Sequence, residues 1–413
     1  MADLAFPKGF LWGASTSAYQ TEGCNGHADW VGWETQGGSA EPCGIACDSW
    51  HRFRDDVDVA ARLGLGIYRI SIEWSRVEPE EGRFDDGALA HYRAWLTYAR
   101  SKGLATMVVL WHFTNPQWFV DGGGWQQRAA AETFGRYAQR VAVEVGGLVD
   151  WWATLNEVNT YARHGWITGE WPPGRKADYA GGLRVYGGLA RAHRRARQAI
   201  KRVVGDHARV GLTHVVPWAH RATGAGPLGH LAVAWWKWLA LHHFLDRVRA
   251  DLDWLGVQYY HDAPLRITGY DLDDGAAPRT DIGWRICPEG LYHAVRDMTQ
   301  RYGVPIIVTE NGLADAADRQ RARFIIDHLA WLHRAIAEGC DVRGYLHWSL
   351  IDNFEWALGF APRFGLASVD YETQAREIRP SAHVYARIAE ANAIPSGLGA
   401  EARYADGSGS LAP

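Results

Sequence analysis

Short apolar runs, rich in β-branched and aromatic residues, alternate along this chain with longer stretches whose apolar residues recur at helical spacing. The runs fall at 10–14, 67–72, 106–110, 151–155, 210–213, 254–257, 306–308 and 344–348. Between them, FRDDVDVAARLGL brings Phe53, Val57, Ala60 and Ala61 to helical spacing, and RFIIDHLAWLHRAIAEG ends at Gly339, a residue suited to closing a helix. Strand-then-helix alternation is the pattern of parallel strands joined by crossover helices. Eight such units predict an α/β protein built as a single (β/α)8 TIM barrel. A doubly wound open sheet would call for a Gly-rich phosphate-binding turn after the first strand, and WGASTSAYQ has no GxGxxG pattern. The barrel is expected to occupy residues 1–394, followed over 395–413 by a flexible tail rich in Gly, Ala and Ser.

The register matters because barrels of this class place their chemistry at the C-terminal ends of the strands. On this register Asn156 and Glu157, in TLNEVN, follow strand four, and Glu310, in IIVTENG, follows strand seven. His112 follows strand three and Trp348 closes strand eight. Two carboxylates at two strand ends suit glycoside cleavage. One carboxylic acid protonates the leaving oxygen while the other carboxylate attacks the anomeric carbon or activates water for that attack. Taken singly, an NE or TEN string is more often a helix cap or a surface group. Their joint placement is what points to chemistry.

Composition narrows the function classes. The 22 tryptophans offer flat apolar faces that suit sugar rings, although core packing is the commoner use of an indole. Lys+Arg 43 against Asp+Glu 47, a net charge of -4, gives no electrostatic reason to expect nucleic acid, and the basic stretch 191–197 reads as a solvated helix face. No run approaches the roughly eighteen apolar residues of a membrane span. Asp3 and Pro7 interrupt the first apolar stretch, so neither a signal peptide nor an anchor is expected, and the cytoplasm is the expected compartment. Cys24, Cys43, Cys47, Cys287 and Cys340 read as reduced thiols. Cys43 and Cys47 have no second Cys/His pair at matching spacing, so no metal is expected, and no other cofactor.

With these positions in place, the segments FPKGFLWGASTSAYQTEG, IEWSRVEPEEGRF, HFTNPQWF, GEWPPG and RFGLASVDYETQAREIRPSAHVYARIA resemble family 1 of the glycoside hydrolases, the β-glucosidase and β-galactosidase family of (β/α)8 enzymes. The resemblance covers nearly the whole chain and is closer to the branch containing archaeal β-glycosidases than to the plant and fungal enzymes. It implies a retaining, exo-acting β-glycosidase whose partners are small β-glycosides or short oligosaccharides. Glu157 would be the general acid/base and Glu310 the nucleophile, with Arg69 the cation beside it and Tyr260 a hydroxyl donating to it. Gln20, His112, Asn156, Glu355 and Trp356 would hold the hydroxyls of the non-reducing sugar over a floor formed by Trp348, and Phe364 would complete the substrate-binding set. Each sugar hydroxyl both donates and accepts, so a pocket must supply both kinds of partner. On local sequence alone His112 reads equally well as a satisfied core histidine. Glu355 would repel a phosphate, which favours unphosphorylated glucosides, galactosides or fucosides.

Three departures bear on these expectations. Val158 stands where the family has proline, so the backbone after Glu157 is less constrained. Gln258 replaces the usual asparagine, and its longer amide is expected to shift the link to the nucleophile. The connection between strands five and six is short, with little beyond one Trp-rich helix around 234–245, which is expected to open the leaving-group side. Trp118, Trp166 and Trp171 could form a platform there or simply pack. A transglycosidase and a carbohydrate-binding protein without catalysis remain alternatives.

Overall fold

Eight parallel strands close into a barrel in the order the sequence predicts: β1 (Leu11–Ser15), β2 (Ile67–Ser71), β3 (Ala105–Val109), β4 (Trp151–Asn156), β5 (Val210–Val215), β6 (Leu255–Gln258), β7 (Ile306–Glu310) and β8 (Val342–Trp348). The computed structural model describes residues 3–226, 228–267, 269–270, 277–398 and 404. β8 pairs with β1 from Gly344 opposite Leu11 to Trp348 opposite Ser15, which leaves the barrel sheet without an edge. The strands are apolar nearly throughout because both faces are covered, one by the barrel interior and the other by helices.

Side-chain alternation sorts each strand between those two environments. Ile67, Met107, Val109, Ala153, Ile307 and Leu346 form the inner cluster. Tyr68, Ile70, Val108, Leu155 and Val308 belong to the outer core beneath the helices. Arg69, two residues beyond Ile67, therefore points inward, and it is fully buried. Two register shifts do the same for other polar groups. Between Ala153 and Asn156, where β4 meets β5, the ladder slips, and so it does between Val308 and Glu310, where β7 meets β6. An extra residue reverses which face the next side chains take. Leu155 stays with the outer core while Asn156 and Glu310 reach Arg69.

The helix Ala130–Val145 shows why the outer layer forms. Phe134, Tyr137, Ala138, Val141, Ala142 and Val145 recur on one buried face. The helix Tyr179–Val204 crosses nearby, and at Gly188 an added Cβ would stand 1.9 Å from the Trp125 carbonyl oxygen, so only glycine admits that approach. Gly339, with φ of 97°, follows the helix Arg321–Ala337 as expected.

The structure refines several boundaries. β4 runs on to Asn156 and β7 to Glu310, so both residues end strands instead of following them. The connection from β5 to β6 holds more than one helix. In it, Trp218–Arg221 joins Asp262–Arg266 and Gly269–Tyr270, which lie beyond β6, in a small sheet, and a helix from Leu228–Lys237 continues through Trp238–His242 into His243–Val248. Of the expected tail, residues 395–398 and Tyr404 are described and the rest lies outside the described residues. Tyr404 itself is buried, and its hydroxyl donates to Asp327 Oδ2 at 3.0 Å. No helix among the described residues is long and apolar enough to cross a membrane.

Candidate active site

The C-terminal ends of β2, β4, β6 and β7 converge on Arg69. Its Nη1 donates to Glu310 Oε1 at 2.6 Å and its Nη2 to Asn156 Oδ1 at 2.6 Å. Tyr260, two residues past β6, donates its hydroxyl to Glu310 Oε2 at 2.6 Å. Both oxygens of Glu310 thus carry a short donor, one of them cationic, an arrangement that favours the ionised carboxylate. Burial still raises the Glu310 pKa above its ordinary value, with Arg69 and Tyr260 acting against that rise.

Glu157 has no such cation bonded to it. It caps the short helix Val158–Ala162 with φ 42° and ψ 57°, a left-handed conformation unusual for a residue with a side chain. Its amide donates to the Thr213 carbonyl at 2.9 Å and its carbonyl accepts from the Tyr161 amide at 3.1 Å. These two bonds hold the turn from both sides, and Val158, wholly buried at the first helical position, packs where a proline would also fit. Burial pushes the Glu157 carboxyl well above the usual carboxylate range, and the negative charge on Glu310 adds to the rise. The two carboxyls are therefore unequal. Glu157 is the one driven toward its protonated form, Glu310 the one supported as an anion.

Asn156 is fixed by three donors on Oδ1: Arg69, Thr213 Oγ1 at 2.7 Å and Gln258 Nε2 at 2.9 Å. Gln258 thus braces Asn156, while Arg69 and Tyr260 make the bonds to Glu310. The Oε1 of Gln258 has no protein partner among the described residues. Asn156 Nδ2 lies 3.3 Å from His112 Nε2. Burial, and then the Arg69 charge, hold His112 well below its ordinary pKa, so its imidazole is neutral. A neutral ring accepting at Nε2 carries its proton on Nδ1, which is buried and finds no protein partner among the described residues. The His112 ring is nearly parallel to Trp348 and to Trp356, with centroids 6.1 Å away in each case.

Gln20 is bonded within the protein. Its Nε2 donates to Asn353 Oδ1 at 2.9 Å and the Phe354 carbonyl at 2.7 Å, and lies 3.4 Å from Glu355 Oε2, while Ser17 Oγ donates to its Oε1. The amide thus anchors the loop that carries Glu355. Burial first, and the Glu310 charge second, push the Glu355 pKa up to about 8. Trp356, buried, stacks on Tyr19 at 5.9 Å. Phe364 packs with Trp348 and Ala314 and meets the Tyr260 ring edge-on at 6.3 Å, which supports that tyrosine from behind. Thr213 and Trp284, which stands 5.5 Å from Tyr260, are neighbours that the motifs do not single out. Thr213 could have been found by its position at the end of a strand; nothing local marks Trp284.

Trp166 and Trp171 are buried in the outer core, the latter against Trp30, Phe113 and Trp356. Trp118 donates its Nε1 to the Glu78 carbonyl and packs on Trp74. All three follow the packing alternative. Among the described residues no group of His, Cys, Asp or Glu side chains is arranged to hold a metal.

A (β/α)8 barrel with two unequal carboxyls at strand ends, one of them ion-paired, defines a glycosidase-like enzyme. The glycosyl hydrolase family 1 model matches residues 2–249 and 236–394. The β-galactosidase of Sulfolobus acidocaldarius is 31% identical, with 96% of this chain and 97% of that protein covered. The β-glucosidase A of Thermotoga maritima is 29% identical over 94% of this chain and 98% of its own. The β-glycosidase from Pyrococcus horikoshii superposes with a TM-score of 0.91 at 34% identity, covering 97% of this chain and 98% of that one. The chain belongs to glycosyl hydrolase family 1, and it is a β-glycosidase. A purely binding role is not favoured, because Val158 and Gln258 leave both glutamates, Arg69 and Tyr260 in place, and a dedicated transferase is not favoured because the matching family is one of glycosyl hydrolases.

Proposed function

We propose that this enzyme hydrolyses terminal β-glycosides with retention, Glu310 serving as nucleophile and Glu157 as acid/base, and that β-glucosides are its first substrates, with β-galactosides and β-fucosides also accepted. The observation that carries the assignment is the asymmetry at Arg69 and Tyr260, which donate to Glu310 and make no bond to Glu157. Glu310 attacks the anomeric carbon, the bond to the leaving oxygen breaks, and Glu157 gives that oxygen its proton. Esterification removes the Glu310 charge, one of the causes that hold the Glu157 pKa up. Glu157, now a carboxylate, then takes a proton from water as the water attacks the same carbon and frees Glu310. Two inversions give retention. The relatives' names support glucose and galactose as the sugars. His112, Asn156, Glu355 and Trp356 are assigned to the sugar hydroxyls, Trp348 to its floor, and Gln20 and Phe364 to the support of that set. The protein is assigned to the cytoplasm on its five free thiols, and residues 1–394 to one catalytic domain.

Azide tests the division of labour. In Glu157→Ala, azide should attack the glycosyl ester without a base, restore turnover of dinitrophenyl glycosides and yield a β-glycosyl azide. In Glu310→Ala it must attack from the opposite face and yield the α-azide. An α-azide from the Glu157 variant would reverse the two roles.

A further inference from the structure

The helix Tyr179–Val204 carries a series of arginines and no carboxylate, and the catalytic roles use none of them. Arg194 turns to Asp251 at 3.0 Å, and Arg197 and Lys201 both turn to Asp253 at 2.8 Å, which fastens one side of the helix to the segment before β6. Arg184, Arg191, Arg195 and Arg202 follow one another at helical spacing and share a different face, on which all four are exposed. Among the described residues only Arg195 of these four forms an ion pair, to Glu132 at 2.7 Å on the helix Ala130–Val145. The basic stretch is thus only partly balanced by its neighbours. Like charges gathered on one face repel, and an anion bound among them relieves that repulsion.

Arg195 and Arg202 line a cleft of about 250 Å3 between the two helices, together with Gln198 of their own helix and Glu132 and Arg136 of the facing one. Gly135 lets the helices close up beneath it, since an added Cβ there would stand 3.1 Å from Arg195 Cβ. The lining groups are already oriented. Arg136 Nη2 donates to Glu78 Oε1, a fully buried carboxylate, so one corner of that guanidinium is pinned while its Nε and Nη1 stay available. Arg195 gives Nε to Glu132 and Nη1 to Gln198 Oε1 at 3.2 Å. Gln198 is left with Nε2 as the end that can donate to a ligand. Three guanidiniums with unused N–H groups and one amide donor therefore face a single space. A carboxylate, flat and singly charged, matches one guanidinium fork. A phosphoryl group carries about −1.5 to −2 charge near pH 7 and offers three strong acceptor oxygens, enough to meet three forks at once. The cleft is smaller than the roughly 300–1,000 Å3 of sites for larger ligands, so it holds a phosphate and only a small organic group beside it.

We propose that this cleft binds small phosphate monoesters, with Arg136, Arg195 and Arg202 on the phosphoryl oxygens and Gln198 on the organic part. The site is built on the outer helices and does not depend on the roles of Glu157 and Glu310. Calorimetric titration at fixed ionic strength with glycerol 3-phosphate, inorganic phosphate, sulfate and glycerol tests it. Glycerol 3-phosphate should bind about fivefold more tightly than inorganic phosphate or sulfate, which lack the bond to Gln198, and glycerol should not bind. Arg202→Gln breaks no ion pair and should weaken the ester about tenfold, the effect of one charge-assisted hydrogen bond. Gln198→Glu sets a second carboxylate against Arg195 and should abolish binding. Both variants should turn over an aryl glycoside at the wild-type rate, which shows that fold and active site are intact. The ester should raise the unfolding midpoint of the wild type and leave that of Gln198→Glu unmoved. Equal affinity for sulfate, inorganic phosphate and the ester would overturn the proposal, as would ester binding that both variants retain. So would binding of a long-chain polyphosphate without binding of the small ester, since the arginine face would then belong to a polymer.

Discussion

Arg69 and Tyr260 set the chemical difference between two glutamates that are both buried. Removing the Glu310 charge in Glu310→Gln should lower the Glu157 pKa, because that charge is the second cause of its rise. Burial, the first cause, remains, so the value should stay above that of a free glutamate. Carboxyl infrared difference spectra across a pH titration would show this, and an unmoved Glu157 would mean the two groups do not interact. Tyr260→Phe removes a donor to an anion, worth about tenfold to a hundredfold in kcat/KM. It also takes away a group that lowers the Glu310 pKa, so the acidic limb of the pH profile should move to higher pH. A limb that stays in place would remove Tyr260 from the support of the nucleophile. Residue type and strand position pointed to Glu157 and Glu310, and the family resemblance added Arg69. They were not enough to show that Gln20 turns its amide toward residues 353–355, because such partners lie more than 300 positions away and leave no local trace.

At the scale of elements, the eight strands were legible because each is buried on both faces and reads as an apolar run. The register shifts at Asn156 and Glu310 were not, since a bulge is a relation between two strands and each sequence shows only one. The small sheet built from segments after β5 and after β6 was missed for a related reason: WAHR and DAPLR carry no strong strand signal and pack against the helix lying on them. The loop after β3 shows how distant support reaches the site. Asp29 accepts from the Asn115 amide at 2.9 Å and from Asn115 Nδ2 at 2.8 Å, three residues past His112. Asp29→Asn would set an NH2 group against one of these donors and should cost about 1–3 kcal/mol, with KM raised through a displaced His112. Burial pushes the Asp29 pKa up to about 7, from 3.8. A carboxyl raised in the folded state contributes stability that is complete below its unfolded pKa and is lost as pH rises through the folded value. The gap in unfolding free energy between wild type and Asp29→Asn should therefore be widest near pH 4 and narrow through pH 7. A gap that widens with pH would mean Asp29 is held ionised.

Over the whole molecule, the two ends of the chain close the structure together. Leu4 and Ala5 pair with Ile394 and Ala393, Trp12 Nε1 donates to Asn392 Oδ1 at 2.9 Å, and the Tyr385 hydroxyl from the last helix donates to the Gly13 carbonyl at 2.8 Å and accepts from the Gly13 amide. β1 is thus held by β8, by β2 and by residues nearly four hundred positions later. Gly13 is the tight point of that seam. A Cβ there would stand 2.3 Å from the Ile67 carbonyl oxygen and 2.5 Å from Ile67 Cγ2, so β1 and β2 would have to part. Gly13→Ala should lower the unfolding free energy by about 1–3 kcal/mol, the usual range for overpacking a full interior. Because β1 leads directly to the helix Ala18–Glu22 that carries Gln20, the damage should not stay local. Denaturant curves followed by tryptophan fluorescence and by hydrolysis of an aryl glycoside should shift together and keep a common midpoint in the variant. If activity is lost well before fluorescence, the β1 seam opens on its own and the barrel does not unfold as one unit.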